Sequence, residues 1–441
     1  MRVTQTVSFL LAVLLAAHPA SAEEEDPTKR IEALEKRVQE LEEQQEQGPG
    51  GFPEWIQRFH LAGNADFSYL YGEDNSIADE GRFAVDNFRL FLDVDLGEEV
   101  NLGKHSLVDS TSFYFEWDMV REAEQKNKAG AMYVRLDGLF GIQPLNIKFG
   151  RFPIPFGEEY LRFSEQRSDN PLISFSAAAP YNWDEGVLFF GSLPGQKLEY
   201  IFALMDGDDA FSVNTDSEPA FSGKLSYRPA PWAQLSMSGL HTGALGSAEV
   251  PAKSAMEFGF THAEPFGSGT DVPNFQNGVE VPDDPENRID TLDAWEVDLI
   301  LTSEDWGRFW LAYGQARIRS EGASSFDRDL LYGIAEGILE LRSVSESFSK
   351  IYLAARYSAI GTFDSNEGYS LEVLNDGSDL GFNTKSVKIV SLGLGLRLTP
   401  HVTFKVEYSF FDFEVVRGAT AAIRRDAEGR NYFGVGLSAR F

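Results

Sequence analysis

Apolar and polar residues alternate with a period of two, in run after run of about ten residues, from about Phe59 to the end of the chain. The run "FRLFLDVDLG" carries apolar side chains at every second position from Phe88 to Leu96, with Arg89 and two aspartates between them. The last run, "NYFGVGLSARF", ends on an aromatic residue, Phe441. This alternation predicts β-strands with one apolar face and one polar face.

The connections between these strands alternate as regularly as the faces do. Tight turns such as "GIQP", "LPGQ" and "TPH" are separated by long polar loops. This is typical of an antiparallel meander, and counting back from the C-terminal strand gives about sixteen strands. The run Leu330–Ser349 leaves two alternatives open, a strand followed by a turn or a helical loop.

The apolar faces need cover, which a second sheet or lipid could supply. A soluble two-sheet sandwich would have edges to protect, and its second face would not carry charge so steadily. A closed barrel removes every edge, and closure is compulsory in lipid because unpaired backbone groups are costly there. The sequence therefore predicts an all-β transmembrane antiparallel barrel over residues 51–441. Phe441 also resembles the C-terminal aromatic signal by which outer-membrane barrels are recognised for assembly.

The N-terminus has the pattern of a secretory signal peptide. Arg2 precedes a short apolar run, and Ala20-Ser21-Ala22 forms a small-residue cleavage site. The run is too short to span a bilayer. We expect residues 1–22 to be removed after Ala22, and the mature chain to be exported to the outer membrane of a Gram-negative bacterium.

Residues 23–50 have the pattern of a short charged helix. Ile31, Leu34, Val38 and Leu41 keep a 3-4 spacing among Glu, Lys, Arg and Gln. This covers fewer heptads than a secure coiled coil needs. Two alternatives stay open, a solvated helix or disordered leader, and a short coiled coil at the axis of a homotrimer.

Composition and charge exclude several classes of function. The chain has no cysteine, so disulfides do not stabilise it, and its net charge of −31 excludes a nucleic-acid partner. The mature histidines show no nucleophile or metal-ligand spacing. They are His60, His105, His241, His262 and His401. We expect no catalytic residue, no metal and no cofactor.

The stretch from Gly150 to Gly186, between the fifth and sixth predicted strands, is too long and aromatic for an idle loop. Its "GRFPIPFG" and the later "AARYSAIG" resemble the phosphate-selective porin O and P family. The resemblance implies that this loop folds inward and narrows a pore. It also implies a homotrimer in outer-membrane lipid and lipopolysaccharide.

On this resemblance we expect the pore constriction to involve eight charged residues of the loop and its neighbouring strands. They are Arg89, Lys148, Arg151, Glu158, Glu159, Arg162, Glu165 and Arg167. The acids among them depart from the basic constriction of the family's phosphate members. The basic residues could form an inward ladder for anions, or could pair with the acids and hold the loop in place.

The function expected from these features is passive diffusion of small hydrophilic solutes or ions through a water-filled channel. One alternative is a plugged barrel with a structural or envelope-tethering role. Another is a substrate-selective pore for phosphate, a dicarboxylate or a sugar.

Overall fold

The computed structural model describes the greater part of the chain after residue 53. The described residues are 54–72, 81–102, 105–118, 128–142, 144–159, 170–178, 180, 183–193, 195, 197–207, 218–243, 275–276, 279–280, 289–320, 328–345, 348–362, 384–417, 428 and 430–441. The chain divides into two units, residues 1–57 and 58–441. The predicted signal peptide and leader helix lie outside the described residues. No helix in the described part has the length and apolar character needed to cross a membrane.

Sixteen antiparallel strands form one closed barrel, which confirms the predicted fold and strand count. The strands are β1 (Phe59–Gly72), β2 (Arg82–Leu102), β3 (His105–Asp118), β4 (Lys128–Asp137), β5 (Asn146–Pro153), β6 (Trp183–Ser192), β7 (Leu198–Met205), β8 (Ala220–Ala230), β9 (Ala233–His241), β10 (Ile289–Ser303), β11 (Gly307–Ser320), β12 (Arg328–Glu340), β13 (Ile351–Thr362), β14 (Thr384–Thr399), β15 (Val402–Val415) and β16 (Tyr432–Arg440). Short 3-10 helices span Glu54–Arg58, Leu139–Gly141 and Leu341–Ser343, and a hairpin pairs Phe275–Gln276 with Val279–Glu280.

The barrel closes between its first and last strands. β1 pairs with β16 from Asn64 opposite Arg440 to Gly72 opposite Tyr432. The backbone of Phe441 extends this ladder, because its N–H donates to the Gly63 carbonyl at 3.0 Å and its carbonyl accepts from the Gly63 N–H at 2.9 Å. Closure leaves no unpaired edge among the sixteen described barrel strands, as a lipid environment requires.

Short turns and long loops lie at opposite ends of the barrel. The short connections are 103–104, 138–145, 193–197, 231–232, 304–306, 341–350 and 400–401. The long ones are 73–81, 119–127, 154–182, 206–219, 242–288, 321–327, 363–383 and 416–431. The described residues of the run Leu330–Ser349 lie in β12 and in the short connection after it, so the strand followed by a turn is the correct alternative. In bacterial outer-membrane barrels the short-turn end faces the periplasm.

The two faces of the wall differ as the alternation predicts. On β8 and β9 the outward side chains of Leu225 and Met237 are exposed, with 54% and 61% of their surface accessible. Lys224, Ser236 and Ser238, on the same two strands, point inward and are buried. Their burial requires cover from inside the barrel, and the long connection after β5 supplies it.

Candidate functional site

The connection between β5 and β6 folds into the barrel, as predicted. Its described residues form two segments that contact the inner wall. We name Ile154–Glu159 the first anchor, because it lies against β8, β9 and β10. We name Asn170–Ala178 the second anchor, because it lies against β12 to β16. Together they bring a loop that begins beside β5 into contact with the opposite wall.

The first anchor is held by one buried ammonium group. The Nζ of Lys224 donates to the carbonyl of Gly157 and lies 2.7 Å from the Oε1 of Glu158. The same carboxylate oxygen accepts from Gln234 Nε2 at 2.7 Å and from Ser236 Oγ at 2.9 Å. Glu158 is thus surrounded by donors, which compensates its removal from water.

Gly157 allows the first anchor to approach the wall closely. Its φ of 67° lies in the left-handed region, and a Cβ at this position would be 2.7 Å from Glu296 Oε1. The Gly157 N–H donates to Ser238 Oγ at 3.1 Å, and the Glu158 N–H donates to Glu296 Oε1 at 3.2 Å. Any other residue at position 157 would strain the backbone and would require the Glu296 carboxylate to move.

The wall behind the first anchor carries two buried acids on β10. The hydroxyl of Tyr332 donates to Glu296 Oε2 at 2.7 Å, and Trp310 Nε1 donates to Asp298 Oδ1 at 3.0 Å. Glu296 and Asp298 are fully buried. Aromatic donors from β11 and β12 therefore satisfy part of the acid pair that receives the loop.

The second anchor is held by a buried guanidinium group on β13. Arg356 lies in register with Glu336 of β12, and its Nη2 donates to Glu336 Oε2 at 2.6 Å. Arg356 also donates to the loop, from Nη1 to the Ser174 carbonyl and from Nη2 to Asn170 Oδ1, both at 2.7 Å. Arg308 lies 3.3 Å from the other oxygen of Glu336. One planar group thus ties wall and loop together.

A carboxylate on β15 completes this attachment. Glu407 Oε2 accepts from the backbone N–H groups of Ile173 and Ser174, and Oε1 accepts from the Ser174 hydroxyl. Ser409 Oγ at 2.6 Å and Tyr432 OH at 3.2 Å also donate to Oε1. Five donors thus surround this one buried carboxylate and fix its position between wall and loop.

The apolar part of the second anchor fits into hollows left by glycines. A Cβ on Gly393 would collide with the side chain of Leu172. A Cβ on Gly434 or Gly436 would lie 3.0 Å or 3.3 Å from Ile173 Cδ1. Leu172 and Ile173 therefore occupy space that ordinary side chains on β14 and β16 would fill.

The predicted constriction residues are distributed over several places. Glu158 lies in the first anchor, and Arg89 faces inward on β2, with its guanidinium nitrogens 3.3 Å from Glu116 and 3.7 Å from Asp118. The ammonium of Lys148 lies 4.1 Å from the centre of the Tyr133 ring.

Arg151 lies apart from these residues. It faces outward between the inward Gly150 and Phe152, and donates to Glu185 Oε1 at 2.6 Å across the outer wall. Arg162, Glu165 and Arg167 lie outside the described residues.

Glu159 connects the two anchors. Its Oε1 accepts from the Ser176 N–H at 2.8 Å, and its Oε2 accepts from the Ser176 hydroxyl. Burial raises the pKa of the Glu159 carboxyl above its usual range, while the positive charge of Arg356 and the Ser176 donors act in the opposite direction.

The wall residues that hold the loop were not predicted as site residues. They are Lys224, Glu296, Arg356, Lys405 and Glu407, together with Glu336, which pairs with Arg356. The sequence does indicate their inward position, because each is a charged residue on the polar face of a strand. In Lys405-Val406-Glu407 the alternation alone places both charges inside the barrel.

The inner wall near the short-turn end carries charges that are partly exposed and paired. Arg135 lies 2.9 Å from Asp137, Arg228 lies 2.7 Å from Glu199, and Arg397 lies 2.6 Å from Glu340. About two-fifths or more of each arginine side chain is accessible. Within the described residues, no group of three or more His, Asp or Glu side chains could hold a metal ion.

The fold is shared with solved outer-membrane proteins at low sequence identity. The outer membrane channel DcaP of Acinetobacter baumannii matches with a TM-score of 0.53 and 13% identity, over 87% of this chain and 97% of that one. An anion-selective porin from Comamonas acidovorans and a loop L8 deletion mutant of OmpT from Vibrio cholerae each match with a TM-score of 0.51 and 11% identity, over 87% of this chain and 99% of theirs.

Comparison by sequence adds no family. No protein-family model matches the chain, and no curated protein matches it. The structural matches establish the fold, which is the sixteen-strand barrel of outer-membrane porins and channels.

Proposed function

We propose that the protein is an outer-membrane porin, a water-filled channel for passive diffusion of small hydrophilic solutes or ions, without enzymatic activity. The observation that carries the proposal is the inward loop, fixed to the wall at two anchors by buried charges. A loop fixed across a barrel narrows it without chemistry. Which solutes pass then depends on their size and on the electric field of the charged residues that line the pore.

Charge pairing supports weak rather than strong selectivity. Each partly exposed arginine named near the short-turn end has a carboxylate within 2.9 Å. Selective filters use rings of charge of one sign, and a pair of opposite charges produces little field beyond about 10 Å at 0.1 M salt. A general diffusion pore fits this lining better than a pore selective for phosphate or a dicarboxylate.

A sugar-selective pore would need aromatic rings that solutes can touch. Phe152 at the end of β5 and Phe156 in the first anchor are both fully buried. We therefore favour a general diffusion pore over a sugar-selective pore. The resemblance to the phosphate-selective family stays a prediction, and anion preference remains open to measurement.

The plugged barrel is the second candidate, because several inward side chains are almost inaccessible. Trp310 and Glu296 are 0% exposed and Arg356 is 2% exposed. Single-channel recording in planar bilayers separates the candidates. A diffusion pore gives long-lived conductance proportional to salt concentration, and repeated insertion without conductance supports the plug.

We also propose a homotrimer in contact with outer-membrane lipid and lipopolysaccharide, after removal of residues 1–22. The leader residues Ile31, Leu34, Val38 and Leu41 would meet at the trimer axis. Unboiled samples should migrate as trimers on gels. If the trimer survives deletion of residues 23–50, the helix has no role in assembly but the trimer proposal stands. A monomer observed by native mass spectrometry would contradict the trimer.

A further inference from the structure

A groove interrupts the outer wall near the long-loop end. Its floor is formed by two glycines in register, Gly223 of β8 and Gly239 of β9. Phe202 of β7 flanks them on one side, and Trp295 of β10 on the other. A Cβ on Gly223 would have its nearest neighbour at 3.6 Å, and one on Gly239 would have none within 4 Å. The floor is therefore open to the outside.

The groove is an open depression large enough to hold part of a ligand. Its volume is about 510 Å³, within the roughly 300 to 1,000 Å³ typical of small-molecule pockets. Phe202, Phe221 and Trp295 contribute aromatic surface to it. The next row towards the short-turn end, Leu225, Met237 and Val297, is wholly apolar.

The row on the long-loop side of the groove is charged. His241 Nδ1 lies 2.8 Å from Asp293 Oδ1, and Arg317 pairs in register with Asp293. Arg319 lies 2.8 Å from Asp329 Oδ1, and Arg317 lies 3.8 Å from the same oxygen. Two arginines and one histidine thus lie beside two carboxylates.

The level of this row marks the boundary of the hydrocarbon. Other outward ion pairs occur at the same end of the barrel, Arg151 with Glu185 and Lys388 with Asp412. Lipid-facing Arg or Lys costs about 2 to 4 kcal/mol at the bilayer midplane and about 0 to 1 near the interface. These pairs therefore belong at headgroup level, and the groove extends from this level, where His241, Asp293 and Arg317 line it, towards the level of acyl chains.

We propose that the groove binds an acyl chain of a lipopolysaccharide molecule, whose phosphorylated headgroup contacts the row of His241 and Arg317. The apolar floor and aromatic sides fit a chain, and the basic side chains fit a phosphate. The site is on the outside of the barrel. It rests on the outer-membrane location proposed above and is independent of conduction.

The test is lipid retention by the full-length protein. Delipidated wild type is incubated with purified lipopolysaccharide and analysed by native mass spectrometry. Gly239→Leu fills the groove and should lower retained lipopolysaccharide about tenfold, equivalent to about 1.4 kcal/mol. Gly337→Leu is the matched control, since Gly337 faces outward on β12 and a Cβ there has no neighbour within 4 Å. It should retain lipid as the wild type does.

Two further measurements keep the result interpretable. Arg317→Gln leaves the groove open and should weaken retention of lipopolysaccharide more than that of its dephosphorylated form. Conductance of Gly239→Leu should equal that of wild type, which separates this proposal from the proposed function. Wild-type lipid retention by Gly239→Leu would overturn the proposal. Loss of the oligomer with unchanged lipid would instead identify the groove as a contact between protomers, which also overturns it.

Discussion

The two anchors of the inward loop are attached to the wall in different ways. The first is held by a single ammonium group, Lys224, and by hydroxyl and amide donors around Glu158. The second is held by Arg356 and Glu407, which contact the same stretch of loop from two strands, and by apolar side chains in glycine hollows. A planar guanidinium and a carboxylate with five donors fix direction as well as distance, whereas an ammonium is a point charge. The second anchor should therefore be the more stable one.

The largest expected effect is that of Arg356→Ala. The substitution removes the guanidinium group that pairs with buried Glu336, and with it the donors to the Ser174 carbonyl and Asn170. Breaking a buried pair costs about 3 to 5 kcal/mol, and we expect about 5 here because loop and wall both lose partners. Unfolding by guanidinium chloride in detergent measures the loss of unfolding free energy. Single-channel records of the variant should show frequent changes of conductance level.

Arg356→Lys is the control for charge. A lysine keeps the positive charge but cannot reach the loop and Glu336 with one planar fork. Partial recovery of stability with unsteady conductance would agree with a geometric role, and a return to wild type in both would show that charge alone suffices.

Lys224→Met should have a smaller effect on the first anchor, about 3 kcal/mol. Glu158 keeps hydrogen bonds from Gln234 and Ser236 after the ammonium is lost, so its carboxylate is not left bare. The measurements are the same as for Arg356→Ala. A loss as large as that of Arg356→Ala would contradict the difference between the anchors.

The alternation of the sequence predicts much of this architecture. It identifies the inward position of Lys405 and Glu407 and the outward position of Phe441, because a strand side chain has only two directions. The same rule applies to Arg151, which follows Phe149 on the outer face, although it was expected near the constriction with the loop residues around it.

The partners of the loop could not be predicted in this way. Glu407 and Ser174 are separated by 233 positions, and their contact depends on where the loop crosses the barrel. The Arg356–Glu336 pair is simpler, since both lie inward at one cross-strand position and follow from strand register. The alternation of the sequence determines which face each strand side chain occupies, and strand register determines its cross-strand neighbours. The conformation of the inward loop depends in addition on the wall residues that it contacts.

Gly393→Ala tests the glycine hollows of the second anchor. The new methyl group would collide with Leu172, and overpacking of this kind costs about 1 to 3 kcal/mol. Gly337→Ala adds the same group on the outer wall, where it meets open space, and should change stability little. Equal unfolding midpoints for the two variants would mean that Leu172 can move aside without loss.

The smallest expected effect is a pH dependence from Glu159, which bridges the anchors through Ser176. Burial raises the pKa of this carboxyl in the folded protein above its ordinary value of 4.5. The folded state therefore binds the proton more tightly than the unfolded chain, so stability from this group is present at low pH and is lost as pH rises through the raised pKa. Glu159→Gln keeps a neutral acceptor for the Ser176 N–H at every pH. The unfolding free energies of wild type and variant are measured with guanidinium chloride from below pH 4.5 to neutral pH. The wild-type value minus the variant value should fall as pH rises. A difference that is flat or rises across this range would show that the anchors hold Glu159 equally well in its ionised form.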